Sequence, residues 1–201
     1  MPKISENRRN NKKQHILEIS KSLFSESGYS RVSVNEIIKT ASISKGGFYV
    51  YFKSKQEVFL EIVKQSDYIK SAIGEHLPKD ISATQKIRKY LETRLNSLYN
   101  EETRKWVKYA IEFWSTVTND DQLDEIRKQR VEKFKIDIES IILDGINTGE
   151  FKNTNNVNEM CYFILSTIDG LAFMTSVMNQ QITPEIVELT IQIILNYIKH
   201  S

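Results

Sequence analysis

SVNEIIKTASISKGGFYVYFKSKQEV, residues 33–58, decides the fold. Ser33-Val34-Asn35-Glu36 has the S-x-x-E form of a capping box, in which the serine hydroxyl and the glutamate carboxylate each accept a backbone N–H at a helix start. Behind it Val34, Ile37, Ile38 and Ala41 recur at helical spacing, which predicts a short helix. Ser42-Ile43 is a brief turn. Ser44 can cap a second short helix from Lys45 to about Phe52, with Phe48 and Phe52 one turn apart on its inner side. Ser54-Lys55-Gln56-Glu57 is another capping box and opens a longer helix through Val58 and Ile62 towards Ile73. Two short helices across a tight turn make a helix-turn-helix.

Outward from this stretch the chain stays helical. Upstream, Ile16, Ile19, Leu23 and Phe24 predict a helix over 8–27, closed by Gly28 as a left-handed cap. If the helix-turn-helix reads a duplex, Arg8, Arg9, Lys12 and Lys13 are either an arm that reaches the minor groove or the backbone, or a solubilising tail. Downstream, Pro78 and Lys79-Asp80 mark a break. Helices are expected over about 82–99, 102–118, 120–147, 156–179 and 184–199. Ser82 with Gln85, Asp120, and Thr183 before Pro184 are their N-terminal signals, and Gly145 and Gly149 lie near the end of the third. No strand-period stretch, repeat or low-complexity segment interrupts them. The fold expected is all-α, with about nine helices: a helix-turn-helix domain over 1–53 and a larger helical domain over 54–201.

Composition agrees. The 201 residues are 40% hydrophobic and 27% charged, as in folded chains, and include only seven Gly and three Pro, too few for a many-turned β fold. One cysteine, Cys161, excludes a disulfide framework and a cysteine-rich metal site, and its expected role is that of a small buried hydrophobe. His15, His76 and His200 are too scattered to form a ligand pair, so neither a metal nor a cofactor is expected. No apolar stretch follows MPKISENRRNNKKQ and no apolar run approaches a membrane span. A cytoplasmic location and no membrane partner are therefore expected. The net charge of +2 conceals a split: residues 1–55 carry eleven Lys/Arg against four acids, and the rest is net acidic. A basic head on an acidic body suits a polyanionic partner.

The second short helix opens Ser44-Lys45-Gly46-Gly47. Each glycine there costs about 1 kcal/mol relative to alanine, a loss that makes sense where the backbone must approach a partner closely. Free N–H groups at that end also suit phosphate.

Residues 16–58 resemble the N-terminal domain of the TetR family of bacterial transcriptional regulators. The resemblance rests on Leu23-Phe24 with Gly28-Tyr29, Ser33-Val34-x-x-Ile37, Ile43-Ser44-Lys45-Gly46, and Tyr49, Phe52, Lys53, Lys55 and Glu57. It implies that Ser33 caps its helix and contacts phosphate, and that Asn35 and Lys45 face bases with the backbone at Gly46 close by. It further implies phosphate contacts at Gly47, Tyr49, Tyr51 and Lys55. Gly47 stands where the family usually has a hydroxyl side chain. Val50 stands where an aromatic is common and can offer only an apolar contact, for example to a thymine methyl.

In the body, 156–179 and 184–199 are apolar nearly all round, which asks for more burial than one chain supplies. The resemblance implies a homodimer through these two helices, so that two reading helices address one palindromic operator in double-stranded DNA. The aromatics Trp106, Tyr109, Phe113, Trp114, Phe134, Tyr162 and Phe173 are either core or the lining of an effector pocket. Asp169, inside an apolar helix, is the polar candidate for an effector contact, unless it bonds a neighbouring helix or reaches solvent. The effector expected is a small hydrophobic or aromatic compound. No nucleotide-binding, zinc-protease or nucleophile-elbow motif occurs, and Glu101-Glu102 and Asp120-Asp121 are adjacent pairs that suit capping more than proton sharing. The expectation is a repressor and not an enzyme.

Overall fold

The computed structural model describes residues 2–75, 77, 78, 80–116, 121–152 and 156–200. Among them are nine helices and no strand: α1 (Pro2–Ser27), α2 (Val34–Thr40), α3 (Lys45–Tyr49), α4 (Lys55–Glu75), α5 (Ala83–Asn96), α6 (Glu101–Thr116), α7 (Asp121–Asn147), α8 (Val157–Ser176) and α9 (Pro184–His200). A short 3-10 turn, Ser97–Tyr99, follows α5. The chain forms two compact units. The first holds the residues up to Ser66 together with Tyr109–Thr116, and the second holds the remainder. We call them the head and the body.

The local signals act as hydrogen-bond chemistry predicts. Ser33 Oγ accepts from the Glu36 N–H at 3.1 Å and Glu36 Oε2 accepts from the Ser33 N–H at 3.5 Å, a complete box. Ser82 and Gln85 form the same box at α5. At α4 the box is shifted: Ser54 Oγ accepts from Glu57 N–H, but the Glu57 carboxylate accepts from Lys53 N–H rather than from Ser54. Thr183 Oγ1 accepts from Ile186 N–H at α9. Gly28 closes α1 at φ +91°, its N–H donating to Phe24 O. The expected Asp120 cap and His76 lie outside the described residues.

Several boundaries differ from expectation. Helix α1 begins at Pro2 rather than near residue 8, so Arg8, Arg9, Lys12 and Lys13 are helical residues and not a loose arm. Nothing between Lys3 and Ser27 breaks a helix, although its first turns carry no apolar stripe to announce them. Helix α3 ends at Tyr49, and Tyr51 and Phe52 continue only as a turn bonded to Phe48 O. Helix α5 stops at Asn96, where the chain tightens into the 3-10 turn.

The head is built on Ile16, Leu17, Phe24, Ile37, Phe48, Phe52, Val58 and Phe59, all almost wholly buried. Phe113, from the far end of α6, completes it. Its ring stacks on Phe59 at 4.2 Å and meets Tyr29 edge-on at 4.9 Å. Beside it Glu112 Oε1 accepts from both the N–H and the hydroxyl of Ser30. In the body, α5, α7, α8 and α9 share one core that includes Leu91, Ile138, Ile142, Ile164 and Ile191. Phe151 folds over Gly145, where a Cβ would fall 2.1 Å from its ring.

Candidate nucleic-acid interface

Buried Phe48 and Phe52 turn the inner side of α3 into the head and leave Lys45, Gly46, Tyr49 and Val50 exposed. Val50, an apolar side chain at 63% exposure, is the most open of these large residues. Ser33, Asn35 and Lys39 are exposed on α2 and its cap. Ser44 is exposed, and its Oγ accepts from the Gly47 N–H at 3.0 Å, so that amide is already engaged. The two glycines differ. A Cβ at Gly47 would stand 3.1 Å from Ser44 Oγ, a reason internal to the cap, whereas a Cβ at Gly46 would meet nothing within 4 Å. Nothing in the fold itself asks for glycine at position 46.

Tyr51 is half-buried, and Lys55 turns inward. Its ammonium donates to the Tyr29 carbonyl at 2.7 Å and the Val32 carbonyl at 2.8 Å, with the Ser30 carbonyl at 3.5 Å and the Tyr29 ring 4.3 Å from Nζ. Burial lowers its pKa, against the pull of the Glu112 carboxylate. Expected at phosphate, Lys55 instead ties the start of α4 to the link after α1. Lys13 is engaged too, 2.8 Å from the Glu61 carboxylate. His15 Nε2 lies 3.2 Å from the Ala41 carbonyl and joins α1 to the end of α2.

The eight effector candidates are divided between the two units. Tyr109, Phe113 and Trp114 belong to the head, where the Tyr109 hydroxyl lies 3.5 Å from Glu26 O and Phe113 meets Trp114 at 5.0 Å. Tyr162 and Phe173 are exposed on α8, and Asp169 is exposed between them. Trp106 and Phe134 are buried in the body. The sequence gives no sign that Tyr90 and Arg94 on α5 carry buried polar atoms without a hydrogen-bond partner, or that Arg94 packs on Phe134. No motif marks such residues, and only burial reveals them. Among the described residues no group of His, Cys, Asp and Glu could hold a metal ion, and no helix is long and apolar enough to cross a membrane. Burial pushes the Cys161 thiol up to about 11, which leaves it unreactive at neutral pH.

Known proteins share this arrangement. Residues 16–62 match the family described as bacterial regulatory proteins, tetR family, and residues 86–185 match the tetracyclin repressor-like C-terminal domain. The chain belongs to the TetR family. It is therefore a DNA-binding transcriptional regulator with an N-terminal helix-turn-helix and a helical C-terminal domain. Among TetR-family relatives, the regulator QacR of Staphylococcus aureus is 25% identical over 189 residues, 92% of this chain and 97% of that protein. The fatty acid degradation regulator FadR of Bacillus halodurans superposes with a TM-score of 0.78 at 14% identity, over 94% of this chain and 97% of the other. FadR of Bacillus subtilis, solved in complex with stearoyl-CoA, has a TM-score of 0.71 at 19% identity, over 93% and 97%.

Proposed function

We propose that this chain is a cytoplasmic homodimeric repressor, without enzymatic activity, that leaves a palindromic operator when a small effector with an apolar part binds the body. The observation that carries the DNA reading is the tip of α3. Lys45, Gly46, Tyr49 and Val50 are exposed together, and Gly46 has no packing reason inside the chain. A side-chain-free position beside a lysine, a phenol and an apolar side chain suits insertion into the major groove, with Ser33, Asn35, Ser44, Gly47 and Tyr51 on the flanking backbone and base edges.

The dimer reading rests on α8 and α9. Tyr162, Phe163, Phe173 and Met174 on α8, and Ile186, Leu189, Ile193 and Tyr197 on α9, are large apolar side chains left exposed at helical spacing. Two such adjoining faces, with the Phe163 and Tyr197 rings 6.4 Å apart, suit a two-fold partner of the same chain. A two-fold pair also suits a palindrome. The stearoyl-CoA bound by the FadR of Bacillus subtilis supports an effector with a long apolar part.

For the coupling, α4 starts in the head and runs on past it, while α6 starts in the body and ends in the head at Glu112 and Phe113. An effector that binds one arrangement of these two helices more tightly shifts the population of DNA-competent heads by that difference in affinity. The test is footprinting of the purified chain on the intergenic DNA beside its own gene. Protection of a palindrome is expected, and its absence at every salt concentration contradicts the reading.

A further inference from the structure

The first turns of α1 run out beyond the core of the head. No side chain from Asn7 to His15 is buried, and the core begins at Ile16. At 1.5 Å per residue, Arg8 stands about 12 Å further along the helix than Ile16. Residues 2–15 carry Lys3, Arg8, Arg9, Lys12 and Lys13 against one acid, Glu6. Packing does not account for such a helical extension, and its charge is of one sign.

The side chains of this extension divide by face. Lys13 pairs with Glu61 of α4, and Gln14 Oε1 accepts from Gln65 of the same helix at 3.3 Å. Arg8, Arg9 and Lys12 are exposed, and among the described residues none of the three makes an ion pair or a hydrogen bond. Arg8, Lys12 and His15 share one face of α1, at positions i, i+4 and i+7. His15 Nε2 touches the carbonyl of Ala41, the last residue of the α2 cap, four residues before α3 starts at Lys45. The face that carries Arg8 and Lys12 is therefore the one that borders the turn into the reading helix. Across 31–56 the only acid is Glu36, and its carboxylate is engaged at the Ser33 N–H.

We propose that Arg8, Arg9 and Lys12 are a second DNA contact of the head, which grips phosphates beside the groove that α3 enters and adds affinity without selecting sequence. The inference rests on the DNA reading above and adds three residues to it. The helical state decides what they can touch. A helix is about 10–12 Å across and a minor groove about 6 Å wide, so α1 cannot enter it as a loose arm does. Long cationic side chains on a helix outside the groove meet the backbone, which carries no base identity. Each phosphate they neutralise releases condensed counterion and steepens the salt dependence of binding.

The experiment is fluorescence anisotropy of the full chain on the footprinted palindrome and on a scrambled duplex of equal length, over a series of salt concentrations. Arg8→Gln with Arg9→Gln and Lys12→Gln is expected to make the slope of log affinity against log salt shallower by at least about 2. That is about 0.9 for one phosphate per chain of a dimer, and three per chain give about 5. The loss should be equal on both duplexes, with the ratio of palindrome to scrambled affinity kept within about threefold. Arg8→Lys with Arg9→Lys keeps the charge and should keep the slope, which separates lost charge from a lost helix. Lys89→Gln with Lys128→Gln and Lys152→Gln removes three exposed charges from the body and should also leave the slope unchanged.

Three outcomes overturn the proposal: a slope that moves by less than about 2 in the glutamine variant, an equal change from the body substitutions, or a larger fall in the palindrome-to-scrambled ratio, which would mean that these residues read bases. A wild-type chain that does not prefer the palindrome contradicts the DNA reading itself. A wild type that prefers it, beside a glutamine variant of unchanged slope, contradicts only the second contact.

Discussion

Gly28 shows how one residue serves both backbone and packing. Its φ of +91° lies in the left-handed region, and a Cβ there would stand 3.1 Å from Glu112 Oε2 and 3.3 Å from the Tyr109 ring. Gly28→Ala should destabilise the chain by about 1–2 kcal/mol, the cost of that conformation for an L residue, read from urea unfolding. The left-handed cap was legible, because glycine after a helical pattern is a local signal. Its neighbours were not, because Glu112 and Ser30 are 82 residues apart. The same holds for Lys55: its charge is evident in the sequence, but the carbonyls of Tyr29 and Val32 that hold it carry no sequence signature.

Glu150 makes the corresponding point in the body. Its carboxylate accepts the N–H groups of Thr84 and Ala83 at the start of α5, and the Thr84 bond leads in drawing its pKa down to about 2 from 4.5. A depressed acid stabilises the fold above its unfolded pKa and loses that contribution as pH falls through the folded value. Stability should therefore decline between about pH 4.5 and 2. Glu150→Gln should flatten that window in Tm measured against pH, and an unchanged slope would contradict the assignment.

At the scale of elements, most helices could be read from caps and apolar period, because those are short-range rules. Errors fell where a short-range rule competes with something else. The first turns of α1 are polar on every side, so no periodicity marks them. The end of α3 ran too far because Phe52 continues the inner stripe although the helix itself closes at Tyr49. Nor does helical spacing tell where an aromatic packs: it places Phe113 on a helix but does not show that Phe59 and Tyr29 receive it in the head. The exposed faces of α8 and α9 carry the prediction at this scale. Leu189→Glu with Ile193→Glu should turn a dimer into monomers in sedimentation velocity without loss of helical circular dichroism, because both side chains are exposed within one chain. A dimer that persists would move the interface elsewhere.

At the scale of the molecule, the head-and-body charge split and the motif spacing over 16–58 pointed to a DNA-binding regulator, and the family matches over 16–62 and 86–185 agree. The effector site was far less legible. Its candidates were aromatics, whose helical spacing reads alike for a packed core and for a pocket lining. The operator is equally silent in the sequence, since Gly47 and Val50 give the head its own contact set.

The central claim is that two copies of this chain read one palindrome through the tips of α3. The most direct test is a gel shift on the footprinted operator, with the protein-to-DNA ratio measured at saturation and Lys45→Glu run in parallel. The account predicts an even number of chains per palindrome and a loss of about 1–3 kcal/mol in operator affinity for Lys45→Glu. One chain per site, or full affinity after Lys45→Glu, would contradict it.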